Sequence, residues 1–362
     1  MVHLLGRTSS QSGNSAASSR QKPSLIEARE KVQQTFSVRL CRWQYEVPNT
    51  IWDDKNVILD VSTGQGKTIT FFLGSLLASE GVHVIITPLN VLGDQNVDQL
   101  VAAGIPAIAI NARTATRQNF EVLPHLLNIL EAALTHVNLS KDIKSGKYRL
   151  VITSPEQFMK IGGGFDELLR MPEFVERLGS IVFDEAHCII QWGTFRPEYT
   201  TLSRLRYQLP NTPFIFASAT FSSLVLDDIK SAFGLTGENT NHIRRSNDRP
   251  NVHIGVRKIE HSMSSFRDLG FLVPDGWKEG DSSPDKFLIF FDSIAEAVGA
   301  ALFLRHRLPC HLRDKIIWFH SDMSENLKAE AVEKLKRGEI WGICATDAFG
   351  MVRPLVSNVT AD

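Results

Sequence analysis

Short apolar runs that alternate with helix-patterned stretches constrain this chain more than any other feature of its sequence. From about Pro23 onward, the runs Val57–Val61, Val82–Thr87, Ala107–Ile110, Arg149–Thr153, Ser180–Phe183 and Phe214–Ala217 read as strands. Between many of them lie helical patterns such as Ile69–Ser79 and Asp166–Leu178. Pro172 interrupts the second, which makes it either two short helices or one kinked helix. Strands that are apolar throughout, separated by helices, imply a parallel sheet covered on both faces.

The same alternation divides the chain. Residues 1–23, rich in Ser, Gln and Gly, read as a tail without a packed core. Residues 24–237 form the first α/β domain. The polar stretch 238–250, with Asn239, Asn241, Arg244, Arg245 and Ser246, reads as a linker. A second α/β pattern occupies 251–362: strand Phe287–Phe291, helix Ser293–Leu308, strand Lys315–His320, helix Ser324–Arg337 and strand Ile340–Thr346. That pattern is short for a doubly wound domain, so the second domain is expected to be incomplete.

Composition serves mainly to exclude. With 43% hydrophobic and 22% charged residues, the 362-residue chain is neither collagen-like, coiled coil nor wholly disordered. No run approaches the ~18–20 apolar residues that span a bilayer, and no secretory signal pattern opens the chain. The net charge of -1 excludes a histone-like protein, but a local basic track suffices to bind nucleic acid. Cys41, Cys188, Cys310 and Cys344 lack any C-x-x-C spacing, so the expectation is four reduced thiols, no zinc and an intracellular setting.

Chemistry concentrates at strand ends. Val61-Ser-Thr-Gly64-Gln65-Gly66-Lys67-Thr68 follows an apolar strand and opens a helix, which is the context of a phosphate loop. Glycines let backbone N–H groups approach phosphate oxygens, and a helix N-terminus favours their charge. Lys67 would reach the β- and γ-phosphates, and the Thr68 hydroxyl would ligate Mg²⁺. The strict G-x-x-x-x-G-K-[ST] pattern asks for Gly where Val61 stands. A second strand, Ser180–Phe183, delivers Asp184, Glu185, Ala186 and His187. Ligands of open α/β sheets bind at such carboxyl ends. Asp184 suits water-mediated Mg²⁺ binding and Glu185 the orientation or deprotonation of water. A third strand end carries Ser218, Ala219 and Thr220.

The ordered strings STGQGKT (62–68), TPLNVLGDQNVDQL (87–100), SPEQ (154–157), DEAHCIIQWGTFRPEY (184–199), SAT (218–220), NDRPN (247–251) and ATDAFGM (345–351) resemble a RecQ-type DEAH-box DNA helicase of superfamily 2. The spacing, with GGGF (162–165) and DGWKEGD (275–281), is most similar to fungal RecQ-like proteins. The resemblance implies two tandem RecA-like P-loop NTPase domains with ATP and Mg²⁺ bound between them. It also implies 3′→5′ translocation on single-stranded DNA, unwinding of forked duplex, a role in repair and recombination, and a nuclear location.

Carried over by position, the resemblance gives each residue a role. Gln44 matches the glutamine that reads the adenine edge, although Cys41 stands where many members have Arg. Thr63, Gly64, Gln65, Gly66, Lys67 and Thr68 would hold the nucleotide, and Thr68 and Asp184 the metal. Lys67, Asp184, Glu185 and His187 would be catalytic, while Ser218, Ala219 and Thr220 would couple the site to DNA. Thr87 and Pro88 match one DNA-gripping loop and Ser154 and Pro155 another. Trp192, Phe195 and Arg196 match an aromatic-rich loop, with stacking on bases as its chemistry. Core packing is the competing reading of the two aromatics. Thr346 matches a DNA contact of the second lobe, and Phe291, Asp292, His320 and Ser321 stand at its other strand ends.

After Met351 the text is Val352-Arg353-Pro354-Leu355, and the family's arginine-finger motif does not follow. An arginine finger can contribute 10³–10⁵ in rate to phosphoryl transfer. Two expectations therefore stand side by side: an ATP-dependent DNA helicase, or an ATP- and DNA-binding module that hydrolyses feebly.

Overall fold

The structure is a computed structural model that describes residues 22–78, 80–88, 90–110, 143, 147–193, 196–248, 250–278 and 280–349, without the side chains of 90–95 and 325. The chain divides into two compact units. One comprises Met1–Pro88 with Val97–Asn247, the other Leu89–Asn96 with Asp248–Asp362.

Among the described residues, the first unit carries a seven-stranded sheet in the order β3-β4-β2-β5-β6-β1-β7. The strands are β1 (Asn56–Asp60), β2 (Val82–Ile86), β3 (Ala107–Ile110), β4 (Leu150–Thr153), β5 (Leu178–Phe183), β6 (Phe214–Ser218) and β7 (Thr240–Arg244). Every recorded pairing between them is parallel, with Leu59 opposite Ala217 and Ile243, and Ile86 opposite Thr153 and Phe183.

Both faces of this sheet are apolar because both are covered. Val57, Leu59, Ile85, Val182 and Ile215 face the side where helices Leu25–Phe36, Arg42–Ile51 and Lys67–Leu77 pack. Ile58, Val84, Ile181, Phe183, Phe214 and Phe216 face the other side, which is closed by the shorter helices and by Ser223–Phe233. Phe183 stacks on Phe216 at 5.0 Å, and Phe233 of the last helix meets Phe216 at 4.7 Å. Burying side chains of this size contributes about 1.5–3 kcal/mol each. Helix ends follow local chemistry. The Ser222 hydroxyl accepts from the Val225 N–H, and Gly234 closes that helix at φ +60°. Pro172 starts the helix Pro172–Val175 after Gly164–Leu168 has ended, so the Pro-interrupted pattern is two short helices.

One expectation needs correcting. The stretch 238–250 is not simply a linker, because it contains β7. Thr240, Asn241 and His242 lack the apolar signal of a central strand, and β7 has β1 as its one recorded partner.

Among the described residues, the second unit has a three-stranded parallel sheet, β8-β10-β9, built from β8 (Phe287–Phe290), β9 (Ile316–Phe319) and β10 (Gly342–Ala345). Helix Ile294–His306 covers one face through Ala300, Ala301 and Leu304, and helix Glu325–Arg337 the other through Ala331, Val332 and Leu335. β10 is buried throughout, while Phe290 of β8 is half exposed. Among the described residues, no helix is long and apolar enough to cross a membrane.

Candidate functional site

Because the strands of the first sheet run parallel, their carboxyl ends share one edge. The sequence-selected residues of this unit gather there, apart from Phe195, which lies outside the described residues.

The loop after β1 is open. Thr63, Gly64, Gln65, Gly66 and Thr68 are exposed. Gly64 at φ +86° and Gly66 at φ +80° take the left-handed conformation that costs glycine least. A Cβ on Gly66 would also stand 2.7 Å from Gln44 Nε2. Gln44 is nearly buried, and its amide is used at both ends. Nε2 donates to the Gly66 carbonyl at 3.1 Å, and Oε1 accepts from the Cys41 N–H at 2.8 Å. Gln44 thus braces the loop from the start of helix Arg42–Ile51. Lys67 begins the next helix, and its Nζ donates to the Val61 carbonyl at 2.8 Å. Burial pulls the Lys67 ammonium below its ordinary value, and the charges of Glu185, Asp184 and Asp60 pull it back up.

The edge after β5 is closed. The Asp184 carboxylate accepts from the Glu185 N–H at 3.0 Å. Burial first, and the Glu185 charge second, push Asp184 up to about 7. Glu185 sits at φ +47°, a costly conformation for a residue with a side chain. His187 Nδ1 lies 3.3 Å from Glu185 Oε2, 2.8 Å from Ser218 Oγ and 3.4 Å from Thr220 Oγ1. Burial holds His187 below its ordinary value, with Glu185 opposing and Lys67 assisting. Ser218 is fully buried, and its Oγ accepts from the Thr220 N–H at 3.0 Å. The turn 218–220 and the acidic strand end are therefore one hydrogen-bonded network.

The residues matched to DNA contact are placed differently. Thr87, Pro88, Ser154 and Pro155 are all buried. The Thr87 N–H donates to the Thr153 carbonyl, and the Ser154 hydroxyl caps helix Pro155–Phe158 by accepting from Gln157 N–H at 3.4 Å. Trp192 is half buried against the core and meets Tyr199 edge-on at 5.8 Å. The Arg196 guanidinium lies 4.7 Å from the Trp192 ring and 3.6 Å from Glu156 Oε1, which joins the aromatic turn to the second loop. In the second unit, Thr346 follows β10 and its N–H donates to the Phe319 carbonyl at 3.0 Å. Phe291, Asp292, His320 and Ser321 follow the neighbouring parallel strands at the same edge.

Sequence patterns missed the partners at the end of β7. Asp60 is buried, and its Oδ2 lies 3.2 Å from Arg244 Nε. Asn247 Nδ2 donates to the Ala219 carbonyl at 2.9 Å, and Gln65 Nε2 to the Ser246 carbonyl at 3.4 Å. No periodicity signals such contacts, because they depend on β7 lying beside β1.

Comparison with known proteins gives the arrangement a context. The family model "DEAD/DEAH box helicase" matches residues 41–229. The chain is 28% identical over 322 residues to "ATP-dependent DNA helicase Q-like 4B" of Arabidopsis thaliana, covering 85% of this chain and 24% of that protein. It is 27% identical over 309 residues to "ATP-dependent DNA helicase RecQ" of Haemophilus influenzae, covering 85% of this chain and 44% of that one. The chain thus spans less than half the length of these two relatives. Among solved structures, DUF1998 helicase MrfA bound to DNA and AMPPNP aligns with TM-score 0.58 and 15% identity, over 91% of this chain and 45% of that one. That likeness is one of fold: parallel sheets flanked by helices, as in RecA-like domains.

Proposed function

The chain belongs to the DEAD/DEAH box helicase family, and we propose that it is the ATP-hydrolysing, DNA-translocating part of a RecQ-type helicase. One observation carries the reading: the parallel sheet brings Lys67, at the helix start after an open glycine loop behind β1, to the same edge as Asp184 and Glu185 at the end of β5. A cation among three carboxylates, beside exposed left-handed glycines, fits the triphosphate of a nucleotide with its divalent ion.

In this reading the backbone N–H groups of residues 63–68 and the Lys67 ammonium hold the phosphates. Thr68 and Asp184 would hold Mg²⁺, which would supply charge neutralisation to the phosphates. Burial and the Glu185 charge push Asp184 up to about 7, and a cation bound beside it would favour its ionised form. Glu185 orients the attacking water and takes its proton. His187, kept neutral, passes the state of Glu185 to Ser218 and Thr220.

DNA as the track is supported by the RecQ relatives and by the Trp192–Arg196 turn. The hydroxyls of Thr87 and Ser154 are buried and the Thr87 N–H is bonded to the Thr153 carbonyl, so grip by these loops follows local rearrangement. Single-stranded and forked DNA as substrate, 3′→5′ polarity and a nuclear location are the finer parts of the proposal. The test is ATP turnover with and without single-stranded DNA, beside Lys67→Ala. Turnover that rises with DNA and vanishes in the variant supports the reading. DNA-independent turnover, or turnover that survives in Lys67→Ala, overturns it.

A further inference from the structure

The segment Arg244–Asn247 touches three parts of the candidate nucleotide site within four residues. Arg244 pairs with the buried carboxylate of Asp60, and the Arg245 N–H donates to the Asp60 carbonyl at 2.9 Å, fastening the segment to the end of β1. The Ser246 carbonyl accepts from Gln65 Nε2, in the middle of the glycine loop. Asn247 Nδ2 donates to the Ala219 carbonyl, inside the turn bonded to His187. At Asn247 the chain leaves the first unit, and Asp248 begins the larger part of the second.

We infer that Arg244–Asn247 is a nucleotide-responsive strap, with Gln65 and Asn247 as its two positioning amides. The inference rests on the nucleotide reading of the loop at 62–68. Gln65 is exposed, and its 3.4 Å bond to a neutral carbonyl is long. A phosphate oxygen in the loop is a charged and stronger acceptor. Occupancy therefore draws the Gln65 amide away from Ser246 and loosens the strap at its centre. Asn247 keeps its hold on Ala219, so movement in the turn 218–220 reaches the same segment from the other side. The strap adds the two inputs, occupancy of the loop and state of the turn, at the point where the chain departs.

Trypsin reads this directly, because Arg244 and Arg245 are exposed cleavage sites inside the strap. The experiment follows cleavage after these two residues by fragment mass. It uses the full chain with and without Mg²⁺ and a non-hydrolysable ATP analogue, while a fluorescent form of the analogue reports binding. Saturating analogue is expected to speed cleavage about fivefold, the ratio that one ordinary hydrogen bond supports. Asn247→Ala is expected to bind the analogue as the parent does, to be cut about fivefold faster without it, and to be cut faster still when it is added, because Gln65 still releases Ser246. Asn247→Asp, which also lacks the donor, is expected to match Asn247→Ala, and an unchanged melting midpoint in either variant excludes general unfolding. Binding without faster cleavage overturns the strap and leaves the nucleotide reading intact. No binding at all overturns both.

Discussion

Two strand ends of one sheet, on either side of β6, are finished in opposite ways. The loop after β1 is exposed, rich in glycine and held from below by Gln44 and Lys67. The turn after β5 is partly buried, carries two carboxylates and a strained Glu185, and is closed by its own bonds to Ser218 and Thr220. The first exposes its glycines and, in the proposed function, receives an anion. The second has spent its hydrogen bonds internally and is ready to be perturbed by whatever the first one holds. In the proposed function, the contrast gives binding to the end of β1 and response to the end of β5.

Lys67→Ala should break the contrast most severely. Without the ammonium the loop loses its one lysine, and affinity for an ATP analogue should fall by about two orders of magnitude or more, the ~3 kcal/mol scale of charged hydrogen bonds. Fluorescence titration measures this, and affinity within a few-fold of the parent would mean that the open loop does not bind phosphate. Ser218→Ala acts on the closed side. It removes the hydroxyl 2.8 Å from His187 and should cost about 1 kcal/mol of stability. It should reduce DNA-stimulated turnover about tenfold, less than the 10²–10⁴ of losing the base itself, and leave analogue affinity unchanged.

Asp184 sharpens the comparison through pH. Its folded value, about 7, lies above its ordinary value of 3.8, so between these limits the folded state holds the proton more tightly than the unfolded state. Stability from this group is complete below about pH 4 and is lost as pH rises through 7. Asp184→Asn should therefore raise the melting temperature at pH 8 and leave it unchanged near pH 4. Each tenfold difference in proton affinity between the two states is worth about 1.4 kcal/mol, so the gain is a few kcal/mol at most. A variant less stable at pH 8 than the parent would show that the carboxylate is held ionised.

The smallest effect is chemical labelling. Cys41 is exposed beside the Gln44 brace, whereas Cys188 is buried and its thiol pushed up to about 12, by burial first and the Glu185 charge second. At pH 8, iodoacetamide should modify Cys41 and spare Cys188 in the native chain. Mass spectrometry decides, and equal labelling would mean that the turn after β5 opens freely.

Most strands were legible in the sequence because they are buried on both faces. β2 and β5 differ from their expected limits by one or two residues, and β3 agrees with its own. β7 was not legible, since Ile243 is its one buried residue and a polar edge strand has no signal of its own. The residues of the glycine loop and acidic pair could be chosen from local strings because each follows a strand that announces itself. Their partners could not. That Gln44 would brace Gly66, that Arg196 would bridge Trp192 to Glu156, and that Asn247 would hold Ala219 follow from strand order, which no local pattern encodes.

Glu185→Gln offers the most direct test that binding and response are separate. Glutamine keeps the shape of Glu185 and loses its basicity. The account predicts that the variant binds the Mg²⁺–ATP analogue as tightly as the parent while single-turnover hydrolysis falls about 10²–10⁴-fold, the usual range for a lost general base. Hydrolysis at the parent rate, or affinity that falls as far as the rate, would contradict it.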